Sequence, residues 1–306
     1  MDLLEVLRQD IDGLADGPYL RGLKSVVRHV EAAEGHLHRG RTQPDDAAFT
    51  DAIYRCNQAF EGSIKEAYRV LAGKEPGKTN IYTVENYLER HRIIRDRVLS
   101  QLRNYRTEWR NPSTHDYNLD FDENEALLAV VSVTAFAKLL VDLIEEKLTF
   151  LEVKEELEVH PPEESGRQRT LHGQVADHVL RFSAQYLLPD APRLENEAQI
   201  NGALHAYLTT ALPDVRVQVE ALLGNRAGRH RADFVLERDG DRVILEVKRG
   251  YRKELLDQSI NQVEHYLLLA DAKSGVILFA EPGPSFVTSG GTSDGKEITI
   301  ISPEQE

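Results

Sequence analysis

The stretch 233-DFVLERDGDRVILEVK-248 decides the fold of the second half of the chain. It contains two runs of alternating apolar and polar residues, which are typical of β-strands, around the turn 238-RDGD-241, which favours a tight hairpin. Side chains two residues apart in a strand share a face, so Glu246 and Lys248 point to one side. The antiparallel return of the hairpin brings Asp233 beside Glu246. The stretch therefore predicts two acids and an amine at one end of a hairpin.

This combination of residues indicates a metal site. Two carboxylates a few ångströms apart repel each other unless a cation lies between them, and Mg²⁺ prefers oxygen ligands. A bound ion lowers the pKa of water and neutralises phosphate charge, while an ammonium group stabilises developing negative charge. We therefore expect Asp233 and Glu246 to bind Mg²⁺ (or Mn²⁺), with Lys248 as their catalytic partner in phosphodiester hydrolysis.

The elements around the hairpin predict its architecture. Apolar periodicity indicates helices before and after the hairpin and further strands on both sides of it. This order predicts an α/β sandwich around a central sheet. The predicted elements besides the hairpin are helices at 171–188, 195–212 and 252–270, and strands at 215–219, 275–280 and 296–302.

The first half of the chain has a different period. From residue 2 to about 150, apolar residues recur at three and four positions, which predicts a bundle of four or five helices. The polar, proline-containing stretch 158-EVHPPEESGRQ-168 reads as a linker. We therefore expect an α+β multidomain protein, with an all-α helix bundle (1–155), a linker (156–169) and an α/β domain (170–306).

Composition limits the classes of function. The chain has 306 residues and a net charge of −14, so bulk attraction to nucleic acid is excluded and local basic clusters must make such contacts. The single cysteine, Cys56, excludes disulfides within the chain. The apolar run 126–144 is interrupted by Lys138 and Asp142, and the first residues are charged, so we expect no membrane insertion or export. A cytoplasmic location fits these features.

The acids and lysine of the hairpin form the pattern D-x12-E-x-K, which resembles the PD-(D/E)xK, or restriction-endonuclease-like, superfamily over about residues 170 to 306. The resemblance implies a metal-dependent nuclease acting on DNA. It also implies a third metal ligand from the upstream helix, Glu197, for which Glu195 is an alternative. On the downstream helix it implies roles for Gln262 in catalysis and Tyr266 in nucleic-acid binding. One departure is Ala232, where the motif name has proline.

The loop 224-GNRAGRHRAD-233 carries basic residues up to the predicted catalytic strand. Backbone phosphates are natural partners for such a cluster. We expect Arg226, Arg229 and Arg231 to contact nucleic acid, with a solvated loop as the alternative.

A second set of candidate residues lies in the first half. Arg103, Arg106 and Arg110 recur at spacings of three and four, on one helical face. Because Pro112 disfavours helix at Asn111, we expect the helix to end about there. Arg103, Arg106 and Asn111 are predicted to contact nucleic acid.

The stretch 110-RNPSTH-115 combines an arginine, which can hold a phosphate, with a histidine, which can move a proton to or from a ribose hydroxyl. One pair at this spacing is expected by chance in about 300 residues of this composition. The stretch resembles the R-N-x-x-x-H motif of HEPN domains over roughly residues 45–150. The resemblance implies metal-independent RNA cleavage with Arg110 on the phosphate, His115 as acid–base and Asn111 as support, in a homodimer. A helix-terminal arginine and a solvated histidine are the alternative.

Together these patterns predict a nuclease of a prokaryotic antiphage defence or conflict system that acts on DNA, with RNA as a second candidate substrate and a protein of the same system as a candidate partner. One alternative is a DNA repair or recombination nuclease whose helical domain only dimerises or senses. The other is an inactive nucleic-acid-binding module.

Overall fold

The structure, a computed structural model, divides the chain into two compact units, residues 1–148 and 149–306. The predicted fold class is confirmed: a helical bundle is followed by a mixed six-stranded sheet with helices. The residues that the structure describes are 2–91, 93–94, 96–115, 119–163, 170–191, 194–224, 230–293 and 295–304.

The first unit is helical, and its two main helices, α2 and α3, pack against each other along their length. Fully buried apolar residues such as Leu23, Ile53 and Phe60 form its core. The helices that begin in this unit are α1 (Leu3–Gly13), α2 (Leu20–Thr42), α3 (Ala47–Leu71), α4 (Ile81–Arg90), α5 (Asp96–Tyr105), α6 (Asn111–His115) and α7 (Glu123–Val159), and α7 continues past residue 148.

Helix α7 is long and apolar enough to cross a membrane by length and composition, but half of its most apolar window is buried inside the protein. Lys138 within that window forms ion pairs with Asp10 of α1, at 2.9 Å, and with Asp142. A paired lysine and a half-buried window are features of a core helix in a bundle.

The prediction that the helix ends near Asn111 is wrong. A π-helical turn, Arg106–Arg110, follows α5 and leads directly into α6, and Asn111 itself has helical backbone angles, φ −71 and ψ −47. The Asn111 amide donates to the Arg106 carbonyl, five residues back. The ring of Pro112 would crowd a carbonyl four residues back in an α-helix, and the wider π turn before it relieves this crowding.

The second unit contains one sheet with the strand order β1-β2-β3-β4-β6-β5. β1–β2, β2–β3 and β5–β6 are antiparallel, whereas β3–β4 and β4–β6 are parallel. The elements are α8 (Leu171–Tyr186), α9 (Glu197–Ala211), β1 (Arg216–Leu223), β2 (His230–Arg238), β3 (Asp241–Lys248), α10 (Lys253–Ala270), β4 (Ser274–Phe279), β5 (Phe286–Ser293) and β6 (Lys296–Pro303).

One turn and one glycine show how the backbone of the sheet is shaped. Asp239 and Gly240 both have positive φ, 52 and 89, which is the two-residue hairpin turn that matches strand twist. Strand β5 was not predicted. Its Gly290 has a φ of 140, and a Cβ at that position would lie 2.1 Å from the Ile298 carbonyl oxygen of β6, so only glycine fits there.

Each face of the sheet has its own core. One face, with Phe234, Leu245 and Leu278, packs against the region of α8 and α9. The other, with Ile244 and Ile277, packs against α10. Glu246 follows Ile244 by two residues and therefore lies on the α10 face.

Candidate active site

The ends of β2 and β3 are joined by side chains instead of backbone pairing. The paired residues of these strands run from Phe234 and Leu245 to the hairpin turn. Beyond them, the Asp233 amide donates to Glu246 Oε1 at 3.1 Å, and the Val247 amide donates to Asp233 Oδ2 at 2.8 Å. Each acid therefore accepts a hydrogen bond from the backbone of the other strand, which fixes both carboxylates at one position.

Glu246 is the most unusual side chain of this cluster because it is an acid with 1% exposure. Its pKa is raised from the ordinary 4.5 to about 7, first by burial and second by the neighbouring charge of Asp233. Lys248 and the Asp233 amide act in the opposite direction, but they do not cancel the effect of burial. When both acids are ionised, the positive charge of Lys248 therefore does not compensate their two negative charges.

Lys248 supplies the amine of the site. Its Nζ donates to Glu246 Oε2 at 2.7 Å, and 19% of its side chain is exposed. The strand continues into a tightly held segment, because the Ala280 amide donates to the Lys248 carbonyl and the Tyr251 amide donates to Glu281. The Lys248 side chain is thus partly accessible from solvent, and its ammonium group contacts a buried acid.

Glu220 of β1 belongs to this region and was not identified from the sequence. Its flanking residues pair with Ala232 and Phe234 of β2, which places Glu220 opposite Asp233. Its φ of 53 is rarely adopted by residues other than glycine. Left-handed residues in strands cluster near functional sites, but a single sequence contains no signal for one.

The positive φ of Glu220 coincides with a change of face in the sheet. Val219 packs against the α8–α9 core, whereas Ala221 packs against the α10 core. In β2, Ala232 and Phe234 likewise contribute to different cores although they are two residues apart. The regular alternation of both strands is therefore interrupted beside Asp233.

The donor set of the site fits a hard divalent cation. Asp233 and Glu246 present carboxylate oxygens at one place, and Mg²⁺ is usually bound by one or two carboxylates together with water and substrate phosphates. The raised pKa of the buried Glu246 is consistent with a position that needs further positive charge. The protein supplies two carboxylates and one lysine here. This donor set therefore fits an open Mg²⁺ or Mn²⁺ site better than a closed site in which the protein supplies every ligand.

Glu197 is the first residue of α9 and is exposed. The segment before it is tied to the end of β3, because Arg249 donates to the Glu195 carbonyl at 3.1 Å. Within the described part of the chain, no group of three or more His, Cys, Asp and Glu side chains has the arrangement of a metal site. The predicted set of three carboxylates is thus not assembled here, and a metal role for Glu197 stays a prediction.

Gln262 and Tyr266 lie one turn apart on α10, and Gln262 Nε2 donates to the Tyr266 hydroxyl at 2.8 Å. Tyr266 is buried in the α10 core, with 7% exposure. Its ring lies beside the imidazole of His230, the first residue of β2, with 6.0 Å between ring centroids. The structure therefore links α10 to the start of the strand that carries Asp233.

The basic loop is only partly described. Arg226 and Arg229 lie outside the described residues. Arg231 is on β2 and pairs with Glu220 at 3.7 Å. A phosphate contact by Arg231 would compete with this ion pair.

In the helical unit, the motif residues are held by a buried polar network. The Tyr105 hydroxyl donates to Asn57, whose amide donates to Ser113 Oγ, which in turn donates to the Arg110 carbonyl. The network fixes the backbone at Arg110. The side chain of His115 lies outside the described residues, so the predicted Arg–His arrangement is not tested.

Each predicted phosphate-binding arginine of this unit is paired with an acid from a neighbouring helix. Arg110 donates to Glu61 of α3, at 2.9 Å from Nη2, and to the Asn111 side chain. The other two pairs are Arg106 with Glu85, at 2.9 and 3.0 Å, and Arg103 with Glu89. Nucleic-acid binding through these groups stays a prediction and would require these pairs to open.

Residues 174–282 match the model of a protein family described as a domain of unknown function (DUF8371). The matched region begins in α8, ends after β4 and contains the Asp233–Glu246–Lys248 cluster. A comparison with curated proteins found no match.

Proposed function

We propose that the second unit is a metal-dependent nuclease of the PD-(D/E)xK type that hydrolyses DNA phosphodiester bonds. One observation carries the proposal: a buried acid, Glu246, contacts both the strand bearing Asp233 and the ammonium of Lys248. A cluster with only a structural role would not need a carboxylate at 1% exposure, because burying an acid is costly unless its charge is used or compensated.

In this proposal each residue has a distinct role. A bound Mg²⁺ or Mn²⁺ would activate water and neutralise charge on the scissile phosphate. Asp233 and Glu246, whose carboxylates already accept hydrogen bonds from backbone amides, would hold this cation. Lys248 holds its ammonium toward the nucleophile and the developing negative charge.

The test is cleavage of supercoiled plasmid with Mg²⁺, Mn²⁺ or EDTA. Wild-type protein is expected to cleave with either ion and not with EDTA, and Asp233→Asn and Lys248→Ala are expected to lose activity. Asp241→Asn, exposed at the other end of the same hairpin, and Lys273→Ala, exposed before β4, are matched controls that keep activity. Equal cleavage by wild type and Asp233→Asn would defeat the assignment.

For the helical unit, we propose a HEPN-like fold that pairs two chains and carries a second, metal-independent RNase site at Arg110 and His115. The buried network that fixes the Arg110 backbone supports a functional role for this segment. RNA turnover that survives EDTA and is lost in His115→Ala would support the site. If the wild-type homodimer does not cleave RNA, the helical unit has only a scaffold role.

The biological setting proposed for this enzyme is a cytoplasmic antiphage defence or conflict system, with a possible partner protein. The rival setting is DNA repair or recombination, with a helical unit that only dimerises or senses. Binding of DNA without turnover in any divalent cation would instead favour an inactive binding module.

A further inference from the structure

Two histidines from different elements meet outside the acid–lysine cluster. His230 is the first residue of β2, and His265 lies in α10. Their Nε2 atoms are 3.4 Å apart, and the ring planes are nearly perpendicular, at 80°, with centroids 4.7 Å apart. Both side chains are exposed. The Nε2 atoms of two exposed imidazoles therefore lie next to each other.

The separation of the two Nε2 atoms is at the long end for a hydrogen bond between them. Nitrogen–acceptor distances in good hydrogen bonds are about 2.7–3.2 Å, and the observed 3.4 Å is longer. If the two rings faced each other head-on, the distance between their centroids would exceed the distance between their nitrogens by about 2 Å or more. Here the centroids are 4.7 Å apart and the nitrogens 3.4 Å apart, so the difference is smaller. The two rings therefore do not meet head-on along the line that joins their Nε2 atoms.

The distance matches that between two ligands of one tetrahedral metal ion. Zinc binds histidine nitrogen at about 2.0–2.1 Å, so two such nitrogens at a tetrahedral angle stand about 3.4 Å apart. Imidazole is a preferred ligand of zinc, copper and nickel, while Mg²⁺ prefers oxygen. The two-histidine pair therefore differs in metal preference from the carboxylates of the candidate active site.

The pair is also held in place before any ion binds. The two ligands are on a strand and a helix, which are more rigid than loops. The ring of Tyr266, itself buried, lies 6.0 Å from that of His230 and 6.4 Å from that of His265. Gln262 fixes the Tyr266 hydroxyl. The ordered ring of Tyr266 therefore lies beside both imidazoles.

We propose that His230 and His265 chelate a Zn²⁺ ion through Nε2, with water in the remaining positions. The ion links the start of β2 to α10. The inference does not depend on the proposed nuclease function, because it uses neither carboxylate nor lysine of that site.

The test is calorimetric titration of the full chain with Zn²⁺ in excess Mg²⁺, so that the carboxylate site is occupied by its own cation. Wild type is compared with His230→Ala, His265→Ala and the double variant. His160→Ala, an exposed histidine of the same unit, is the matched control. Circular dichroism and thermal melts without zinc establish that every variant is folded.

Each single variant is expected to bind Zn²⁺ at least about tenfold more weakly, since loss of even an outer-shell partner costs that much. Because chelation needs both rings, the double variant should bind no more weakly than either single variant, and His160→Ala should equal wild type. Zinc should raise the melting temperature of the proteins that have both His230 and His265, and not that of a variant that lacks either one. Equal affinity in wild type and His265→Ala would overturn the proposal.

Discussion

Ionisation of Glu246 is expected to destabilise the second unit in the absence of a divalent cation. The carboxyl is buried, and its pKa is raised from 4.5 to about 7 by burial first and by Asp233 second. In the unfolded chain the same group ionises at its ordinary pKa. Between these two values the folded state holds a proton that the unfolded state has lost.

The sign and size of the effect follow from this difference. For a raised pKa, the stabilisation is present below pH 4.5 and is lost as the pH rises through about 7. At about 1.4 kcal/mol for each pH unit between the two pKa values, the loss approaches about 3 kcal/mol at pH 8. A cation bound to Asp233 and Glu246 lowers the pKa of Glu246 and should restore this stability.

The perturbation is Glu246→Gln, which resembles the protonated acid. Urea unfolding of wild type and variant is measured at pH 5 and pH 8 with EDTA, and hydrogen exchange of β3 amides reports the second unit. Trp109, the single tryptophan, lies in the first unit and provides an internal control by fluorescence. All histidines are common to both proteins, so the comparison isolates Glu246.

Wild type should lose about 2–3 kcal/mol more than Glu246→Gln between pH 5 and pH 8. Mg²⁺ at pH 8 should stabilise wild type and not the variant. The reasoning is refuted if both proteins show the same pH dependence, or if wild type gains stability relative to the variant as the pH rises.

Two further substitutions test features that position the sites. Glu220→Gly should be more stable than Glu220→Ala by about 1 kcal/mol in urea unfolding, because both remove the carboxylate but only glycine tolerates the positive φ without strain; equal stabilities would count against a strained residue there. Arg106→Ala leaves Glu85, which is 1% exposed, without its ion-pair partner and should cost about 3–5 kcal/mol at pH 8. Burial already raises the pKa of Glu85, so the cost of Arg106→Ala should fall at pH 5, where the carboxyl can take up a proton. Trp109 fluorescence during urea unfolding measures the cost at both pH values. A cost independent of pH would contradict this account.

The fold could be predicted where local patterns and tertiary structure agree. The helical period of the first half, the alternation around Val235 and Ile244, and the turn at Asp239 and Gly240 each specify their element locally. The hairpin register also indicated that Asp233 and Glu246 would be neighbours. These features depend on residues close in sequence, so one chain is enough to see them.

Other features depend on partners distant in sequence or on backbone angles without a residue signature. Strand β5 lies at the sheet edge and is rich in Ser, Thr and Gly, so it lacks an apolar alternation. Proline usually indicates that a helix ends before it, but the π turn before Pro112 leads directly into another helical segment. The pairing of Arg110 with Glu61 and the positive φ of Glu220 arise only when the chain is folded.

The most direct test of the account is the rate of plasmid cleavage in Mn²⁺ by wild type and Lys248→Met, measured side by side. The variant keeps the length of the side chain and removes the ammonium that contacts Glu246. We expect cleavage by wild type and a rate lower by about a hundredfold or more in the variant. Equal rates, or no cleavage by folded wild type in any divalent cation, would contradict the account.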